Sequence, residues 1–186
     1  AASDVYKRQM LNGEDIHKRE DVDVIQEAAT GLYGARCRDD MLIMDCGDIG
    51  PSYQPGHTHC DFLSYELMIA GQRVVVDTGV SEYEPGEQRH YVRSTKAHNT
   101  VSVDGGEQSE IWGAFRVARR AKKRSAKAVH HKSGVEVSGS YEGFFNGNLS
   151  AAPRFRHNRQ INVKFVKDGM AEIGVVDTID PLSDKG

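Results

Sequence analysis

The sequence predicts an all-β protein of antiparallel strands, arranged as a β-sandwich or an open barrel. About ten short segments rich in apolar and β-branched residues are separated by turn signals every 8 to 12 residues or so. The 186 residues include 19 glycines, which is typical of a chain with many turns. The sequence shows neither a strand–helix–strand rhythm nor a repeat of fixed period, which argues against a parallel sheet.

The strand candidates begin with two hairpins. Residues 32–37 and 41–46 flank a polar turn and predict the first, and residues 61–70 and 73–77 flank Gly71-Gln72 and predict the second. The other candidates are residues 99–103, 114–120, 126–130, 134–141, 154–165 and 170–179. No closing element follows Pro181, so we expect a fold that is truncated at its C-terminus.

Two stretches are predicted to lie outside the sheets. Residues 1–30 are polar and weakly patterned, which indicates a linker or the tail of a missing domain, with one short helix over 24–29. Residues 78–96 have little apolar periodicity, and a long irregular segment between strands is more often functional than idle. The sandwich domain is therefore expected over residues 31–186.

Composition excludes several classes of protein. The chain has 24 basic and 27 acidic residues, so its net charge of −3 gives no global argument for binding nucleic acid or an anionic membrane. No apolar run approaches the ~18 residues of a transmembrane helix. Residues 1–9 lack the apolar core of a signal peptide, so the protein is either not exported or a piece of a longer exported chain.

A metal site is predicted from histidines and aspartates between residues 57 and 98. In an extended segment His57, His59 and Asp61 would project to one side. His59, Asp77 and His98 together offer two imidazoles and a carboxylate, a common ligand set for zinc or a related divalent metal. Antiparallel pairing around Gly71-Gln72 puts Asp77 opposite roughly residue 66, so His59 can approach Asp77 only through a bend after Asp61 or a different arrangement of the sheet.

Basic residues give a second candidate surface. Seven of the twelve residues from Arg116 to Lys127 are basic, which indicates either a solvated strand face or a cationic track for an acidic polymer. Arg89 and Arg93 would extend such a track and bind substrate, because the planar guanidinium group makes two parallel hydrogen bonds to a carboxylate or sulfate.

Aromatic residues near these histidines have two interpretations. Tyr83 and Tyr91 are either packing residues or proton carriers on a polar loop. Trp112, the single tryptophan, is interpreted as a core anchor rather than as a platform for a sugar.

Several blocks of this sequence, taken in order, resemble the heparinase II/III-like family of polysaccharide lyases. The resemblance is dense from about residue 31 to residue 115. The blocks are Gly56-His57-Thr58-His59-Cys60-Asp61, Leu63 to Leu67, Val75 to Gly79, Arg93 to Val101, Asp104-Gly105, Gln108 to Glu110, and Trp112-Gly113. The resemblance implies the C-terminal antiparallel β-sandwich domain of a lyase whose N-terminal domain is a helical toroid missing from this chain.

The resemblance also implies roles for individual residues. A zinc ion with a mainly structural role would be held by His59, Asp77 and His98, while His57 faces the active-site cleft. A tyrosine from the loop before the Arg93 to Val101 block reaches the same cleft, and either Tyr91 or Tyr83 fits that position. Asp61 is left to support the histidines or the turn.

The implied activity is β-elimination on an acidic polysaccharide that contains uronic acid, such as a glycosaminoglycan or alginate. The full-length parent would be a bacterial periplasmic or secreted enzyme, and because the toroid supplies much of the machinery, this chain alone would have little or no activity. Two alternatives stay open: a non-catalytic carbohydrate-binding or structural module, and a small metalloenzyme with a cupin-like barrel. Glu66, seven residues after His59, is poorly spaced for the cupin ligand set.

Overall fold

A computed structural model describes residues 22–50, 53, 55–147, 152–166 and 170–183. The strands are β1 (Asp23–Glu27), β2 (Leu32–Cys37), β3 (Asp40–Asp45), β4 (Tyr65–Ile69), β5 (Gln72–Val75), β6 (Ile111–Gly113), β7 (Arg116–Val117), β8 (Lys122–His131), β9 (Gly134–Gly143), β10 (Phe155–Val166) and β11 (Met170–Pro181). Helical structure in these residues comprises α1 (Glu87–Arg93) and two 3-10 helices, Pro55–His57 and Thr95–Ala97. None of the described helices is long and apolar enough to cross a bilayer.

The strands form two antiparallel sheets and a small hairpin. The first sheet has the order β1-β2-β3-β4-β5, the second has the order β11-β10-β9-β8, and β6 pairs only with β7 among the described strands. Neighbouring strands are antiparallel throughout. The prediction of an all-β antiparallel sandwich is therefore confirmed, and the sheets stay separate rather than closing into a barrel.

Alternation along the strands produces the core. In β10 every second side chain from Phe155 onward is buried, so this strand turns one face to the first sheet. Val137 of β9 lies opposite Ile161 of β10, and both are completely buried together with Leu42 and Met44 of β3. Each such side chain contributes about 1.5–3 kcal/mol to folding. One continuous apolar core thus holds the two sheets together.

Local structure differs from the sequence prediction in several places, and of the strand predicted over residues 114–120 only Arg116–Val117 is a strand. Residues 24–29 were predicted as a helix, but residues 24–27 belong to strand β1, in which Val24 pairs with Ala35 of β2. Residues 99–103, predicted as a strand, have no strand structure. The segment 78–96, predicted as irregular, contains α1. The predicted helix and strand were wrong because strand formation depends on a neighbouring strand as well as on local sequence. Residues 23–27 pair with β2, whereas residues 99–103 form no strand.

The bend required after Asp61 is present. Asp61 to Ser64 form a turn in which Leu63 has a φ of 60°, and β4 begins only at Tyr65. Tyr65 pairs with Met44 near the end of β3, and β5 ends at Val75. The loops that follow β3 and β5 therefore leave from the same end of the first sheet, and they carry the candidate site.

Candidate metal centre and cleft

Two histidines and an aspartate meet at that end of the first sheet. One ligand atom each from His59, Asp61 and His98 lies within 4.8 Å of the others. The His59 and His98 ring centroids are 5.3 Å apart, and both residues are buried. The segment around His59 is not an extended strand, because Pro55–His57 forms a 3-10 helix and Asp61 begins a turn. The cluster therefore arises from loop geometry, and this donor set can hold a metal ion.

Asp77 contacts the cluster through His98. Its Oδ2 atom lies 2.6 Å from Nδ1 of His98, and its Oδ1 atom accepts a hydrogen bond from the main chain of Gly79 at 2.9 Å. Burial alone would lower the pKa of His98, but the hydrogen bond and the charge of Asp77 raise it. The same hydrogen bond lowers the pKa of Asp77 against the effect of its own burial. The predicted ligand role of Asp77 stays a prediction beside this contact.

The imidazole nitrogens of the cluster suit a metal. Nε2 of His59 and Nε2 of His98 are buried and have no hydrogen-bond partner among the described residues. Burial, followed by the positive charges of His98, Arg89 and Arg93, lowers the pKa of His59 to about 4. His59 is therefore neutral at neutral pH, which is the state in which imidazole binds a metal. Two buried unpaired nitrogens beside a carboxylate fit a zinc-type ion.

Two cavities flank Asp61. One, of about 480 Å³, is lined by His57, His59 and Asp61, and the other, of about 210 Å³, is lined by Asp61, Asp77 and Glu66. Asp45 at the end of β3 lines both cavities. Burial and the nearby charge of Asp61 raise the pKa of Asp45 to about 6. The concentration of carboxylates here favours a cation.

Asn99 ties the ligand-bearing segments to each other. Its side-chain amide donates to the main-chain oxygens of Tyr65 at 3.1 Å and Val76 at 2.8 Å, and its main-chain N–H donates to Ser64 Oγ at 3.1 Å. Because Asn99 follows His98 and Val76 precedes Asp77, one side chain holds these two segments together. This explains why an asparagine stands directly after the histidine.

Arg159 of β10 ties the same segments to the second sheet. Its Nη1 donates to the main-chain oxygens of Leu63 at 2.8 Å and Asn99 at 2.5 Å. Its Nε and Nη2 donate to the two carboxylate oxygens of Asp177 at 2.8 and 3.0 Å, and Nε2 of His157 lies 2.6 Å from Asp177 Oδ1. The loops on either side of the cluster are thus fixed to the core of the sandwich.

His57, the predicted cleft residue, is exposed at the larger cavity. The Tyr83 ring packs edge-on against it with centroids 5.6 Å apart. Tyr83 and Tyr91 are both about half exposed, at 53% and 48%. Contact with His57 distinguishes Tyr83 from Tyr91, which has no ring contact to His57 among the described residues.

Arg89, predicted to bind substrate, is completely buried. Its Nη2 donates to the main-chain oxygen of Gly56 at 3.1 Å, and its Nε donates to that of Ala114 at 3.3 Å. The guanidinium lies between the rings of Tyr83 and Phe115, 5.2 and 5.6 Å from their centroids. Arg89 therefore links the His57 segment to the β6–β7 hairpin.

Arg93 makes the same kind of link one turn further along α1. It is also completely buried, and its Nε donates to the main-chain oxygen of Thr58 at 2.9 Å. Its Nη1 donates to the main-chain oxygen of Gly113, and its own main-chain oxygen accepts from Cys60 at 2.9 Å. Neither arginine forms an exposed cationic track with the basic residues from Arg116 to Lys127, and their predicted substrate contact stays a prediction.

Sequence reasoning missed two features of this region. The sequence predicts a supporting role for Asp61, and its place two residues after His59 was the available signal that it would cluster with both histidines. Trp112 was interpreted as a core anchor, and this was wrong because 58% of it is exposed on the β6–β7 hairpin. Exposure of a tryptophan depends on tertiary contacts that the sequence around it does not specify.

The fold and the cluster together define a class: an antiparallel β-sandwich domain whose loops carry two histidines and an aspartate that can hold a metal ion, beside a cavity lined by His57. The family model for the heparinase II/III-like C-terminal domain matches residues 23–186, which is most of the chain. This chain belongs to the heparinase II/III-like family, as a member of its C-terminal domain. Neither the curated proteins nor the solved structures gave a match.

Proposed function

We propose that this chain is the C-terminal sandwich domain of a polysaccharide lyase that cleaves a uronate-containing polymer, such as a glycosaminoglycan or alginate, by β-elimination. A helical N-terminal toroid outside this chain would complete the cleft, and the parent would work in the periplasm or outside a bacterial cell. Family membership supports the lyase class. The observation that carries the proposal is the position of His57, which lines the larger cavity beside His59 and Asp61 and packs against Tyr83.

The chemistry needs three groups at one sugar. A base removes the C5 proton of the uronate, a donor or cation stabilises the negative charge that builds up on the carboxylate, and an acid protonates the departing 4-oxygen. His57 and Tyr83 are exposed, adjacent and of residue types that exchange protons, so they suit two of these roles. We assign Tyr83 ahead of Tyr91, because Tyr83 contacts His57.

We further propose that the metal is zinc and that its role is structural. His59 and His98 would bind it through their Nε2 atoms, and Asp61 or Asp77 would supply the carboxylate. A bound ion would join the loop after β3, which carries His59, to the loop after β5, which carries His98, and would neutralise nearby carboxylate charge. The chain's own residues hold these loops in place through Asn99.

The test uses the full-length protein with uronate polymers, and it follows the ultraviolet absorbance of the unsaturated uronate product. His57→Ala is expected to abolish product formation, and Tyr83→Phe to slow it by about 10²-fold because a proton-transferring group is lost. The same substitution at Tyr91 decides between the two tyrosines. His131→Ala, at an exposed histidine on β8, is the control and is expected to keep full activity.

A non-catalytic carbohydrate-binding module is the competing function. A full-length protein that binds the polymer but never forms the unsaturated product would establish that class and overturn the lyase proposal. Zinc is tested separately by elemental analysis of the purified protein. Unchanged zinc content in His59→Ala would reject the ligand assignment while leaving the lyase chemistry to its own test.

A further inference from the structure

The β6–β7 hairpin presents an exposed tryptophan with an arginine over it. The Arg116 guanidinium carbon lies 4.8 Å from the centroid of the Trp112 ring. Trp112 is 58% exposed, and Arg116 is exposed as well. No carboxylate of the described residues forms an ion pair with Arg116, in contrast to Arg119, which pairs with Glu110 at 2.9 Å on the same hairpin. The hairpin therefore offers a large apolar ring and an uncompensated positive charge side by side.

This hairpin is held in a fixed position relative to the cleft histidine. Arg89 and Arg93, both fully buried, each donate one hydrogen bond to the segment around His57 and one to the hairpin. The four acceptors are the main-chain oxygens of Gly56, Thr58, Gly113 and Ala114. A platform on the hairpin is thus preorganised with respect to His57.

Apolar surface continues from the hairpin toward His57. Phe115 is 45% exposed and lies against Gly56, where a Cβ would be 3.7 Å from the Phe115 side chain. The Tyr83 ring packs on His57, and the buried Arg89 guanidinium lies over both the Tyr83 ring and the Phe115 ring. The exposed rings of Tyr83 and Phe115 therefore lie against His57 and its neighbour Gly56, and with Trp112 they form an extended surface that suits a chain of sugar rings better than a single small molecule.

We propose that Trp112 and Arg116 form a binding subsite for a uronate sugar of the polymer, outside the sugar that reacts at His57. The indole stacks against the C–H face of a pyranose ring, and the guanidinium binds the carboxylate of the same or the next sugar. A neutral polysaccharide would use the ring but leave the charge unpaired, so the subsite selects for acidic polymers. The choice of a polysaccharide rests on the proposed function.

The experiment exploits the fact that Trp112 is the single tryptophan of the 186-residue chain. Its fluorescence is followed while an alginate hexasaccharide, which carries a carboxylate on each sugar, or a neutral cellohexaose is added. The alginate hexasaccharide is expected to change the emission at concentrations about tenfold lower than cellohexaose, which can stack on the ring but has no carboxylate for Arg116. Arg116→Gln is expected to weaken alginate binding about tenfold, the loss of one charge-assisted hydrogen bond, with an unaltered thermal unfolding midpoint. Arg36→Gln, at an exposed arginine of β2, is the matched control and is expected to bind as the unsubstituted chain does.

Three outcomes would overturn the inference. One is no emission change with the alginate hexasaccharide in a chain that unfolds cooperatively. Another is an equal response to both oligosaccharides, since the arginine would then read no carboxylate. The third concerns Trp112→Ala in the full-length protein. If this substitution changed the sedimentation or the proteolysis between domains but left the calorimetric affinity for the hexasaccharide unchanged, the surface would be a protein contact. His57→Ala is expected to keep the Trp112 response, so failure of the lyase chemistry and failure of this subsite give different results.

Discussion

The Oδ2 atom of Asp77 lies 2.6 Å from Nδ1 of His98 and leaves Nε2 of that buried ring without a partner. A carboxylate bound to one imidazole nitrogen fixes the ring orientation and makes the other nitrogen a better ligand. Asp61 instead lies within 4.8 Å of both histidines with its ligand atom. These contacts divide the two alternatives of our proposal: Asp77 would orient His98, and Asp61 would be the carboxylate ligand.

Comparing Asp61→Asn with Asp77→Asn tests this division of roles. Asp77→Asn is expected to lower zinc affinity by about 10- to 100-fold, the effect typical of losing a carboxylate behind a ligating histidine. Asp61→Asn is expected to lower it further, because a charged ligand is lost. Affinity is measured by competition with a chromophoric chelator.

The control for this comparison is Asp23→Asn, at an exposed carboxylate of β1, which is expected to bind zinc as the unsubstituted chain does. The reverse order of the two effects would contradict the division of roles. It would make Asp77 the ligand, as the family resemblance implies, with Asp61 in the supporting position.

A second prediction concerns Asn99. Asn99→Ala removes the amide donors to the main-chain oxygens of Tyr65 and Val76, which are then left without these hydrogen bonds. We expect a loss of about 1–3 kcal/mol in the free energy of unfolding, together with weaker zinc binding, because the His98 and Asp77 segments are no longer joined. Urea unfolding and the chelator competition measure the two effects.

Asn162→Ala provides the comparison for Asn99, since Asn162 is exposed on the outer face of β10. Its effect on unfolding is expected to stay within about 0.5 kcal/mol. If Asn99→Ala lowered stability but left zinc affinity unchanged, Asn99 would be a structural residue only.

A third prediction concerns acid stability through Asp177. Burial would raise the pKa of Asp177, but hydrogen bonds from His157 and Arg159 and the charges of these residues lower it from 3.8 to about 2. A carboxyl whose pKa is lower in the folded state adds stability above its unfolded pKa and loses it as the pH falls toward the folded value. The free energy of unfolding should therefore fall between about pH 5 and pH 2, and Asp177→Asn should remove part of this slope.

At neutral pH the same variant leaves the buried Arg159 without its carboxylate. We expect about 1–3 kcal/mol of destabilisation, because the hydrogen bonds that Arg159 donates to this partly exposed carboxylate are weakened or lost. Asp180→Asn on the same strand is the control, because Asp180 accepts only from the neutral amide of Asn158 at 2.7 Å among the described contacts and pairs with no buried arginine there. Parallel pH profiles for Asp177→Asn and the unsubstituted chain would refute the role given to Asp177.

The sequence predicts those strands whose pattern is local, and it does not predict those that depend on a pairing partner. The second sheet was predictable because alternation is local: residues 154–165 were predicted as a strand, and β10 spans Phe155–Val166. β1 was missed because its burial is slight, and it is a strand through its pairing with β2. A polar segment without regularly spaced buried residues shows no hydrophobic periodicity in its sequence.

Helix α1 was also missed by the sequence prediction, because it lacks the apolar pattern of an amphipathic helix. Its buried residues are Arg89, Val92 and Arg93, so the face it turns inward is mostly charged and its apolar periodicity is absent. The histidines and aspartates of the site were visible as residue types at suggestive spacings. Which carboxylate lies beside both histidines depends on the turn at Asp61 to Ser64, and that turn is set by contacts to β3 and β10.

The last prediction separates the two possible roles of Arg89. In Arg89→Lys the ammonium group cannot reach both main-chain oxygens with the geometry of a guanidinium fork, so the carbonyls of Gly56 and Ala114 lose a buried donor. We expect about 2 kcal/mol of destabilisation and faster amide hydrogen exchange around His57, whereas Arg36→Lys should change neither. The opposite result would be unchanged unfolding and hydrogen exchange in Arg89→Lys, together with a raised KM for the polymer in the full-length protein. That result would support the substrate-binding role predicted from the sequence. Complete burial of Arg89 behind Tyr83 and Phe115 favours the structural outcome, because a side chain without solvent contact cannot reach a polymer unless the hairpin moves.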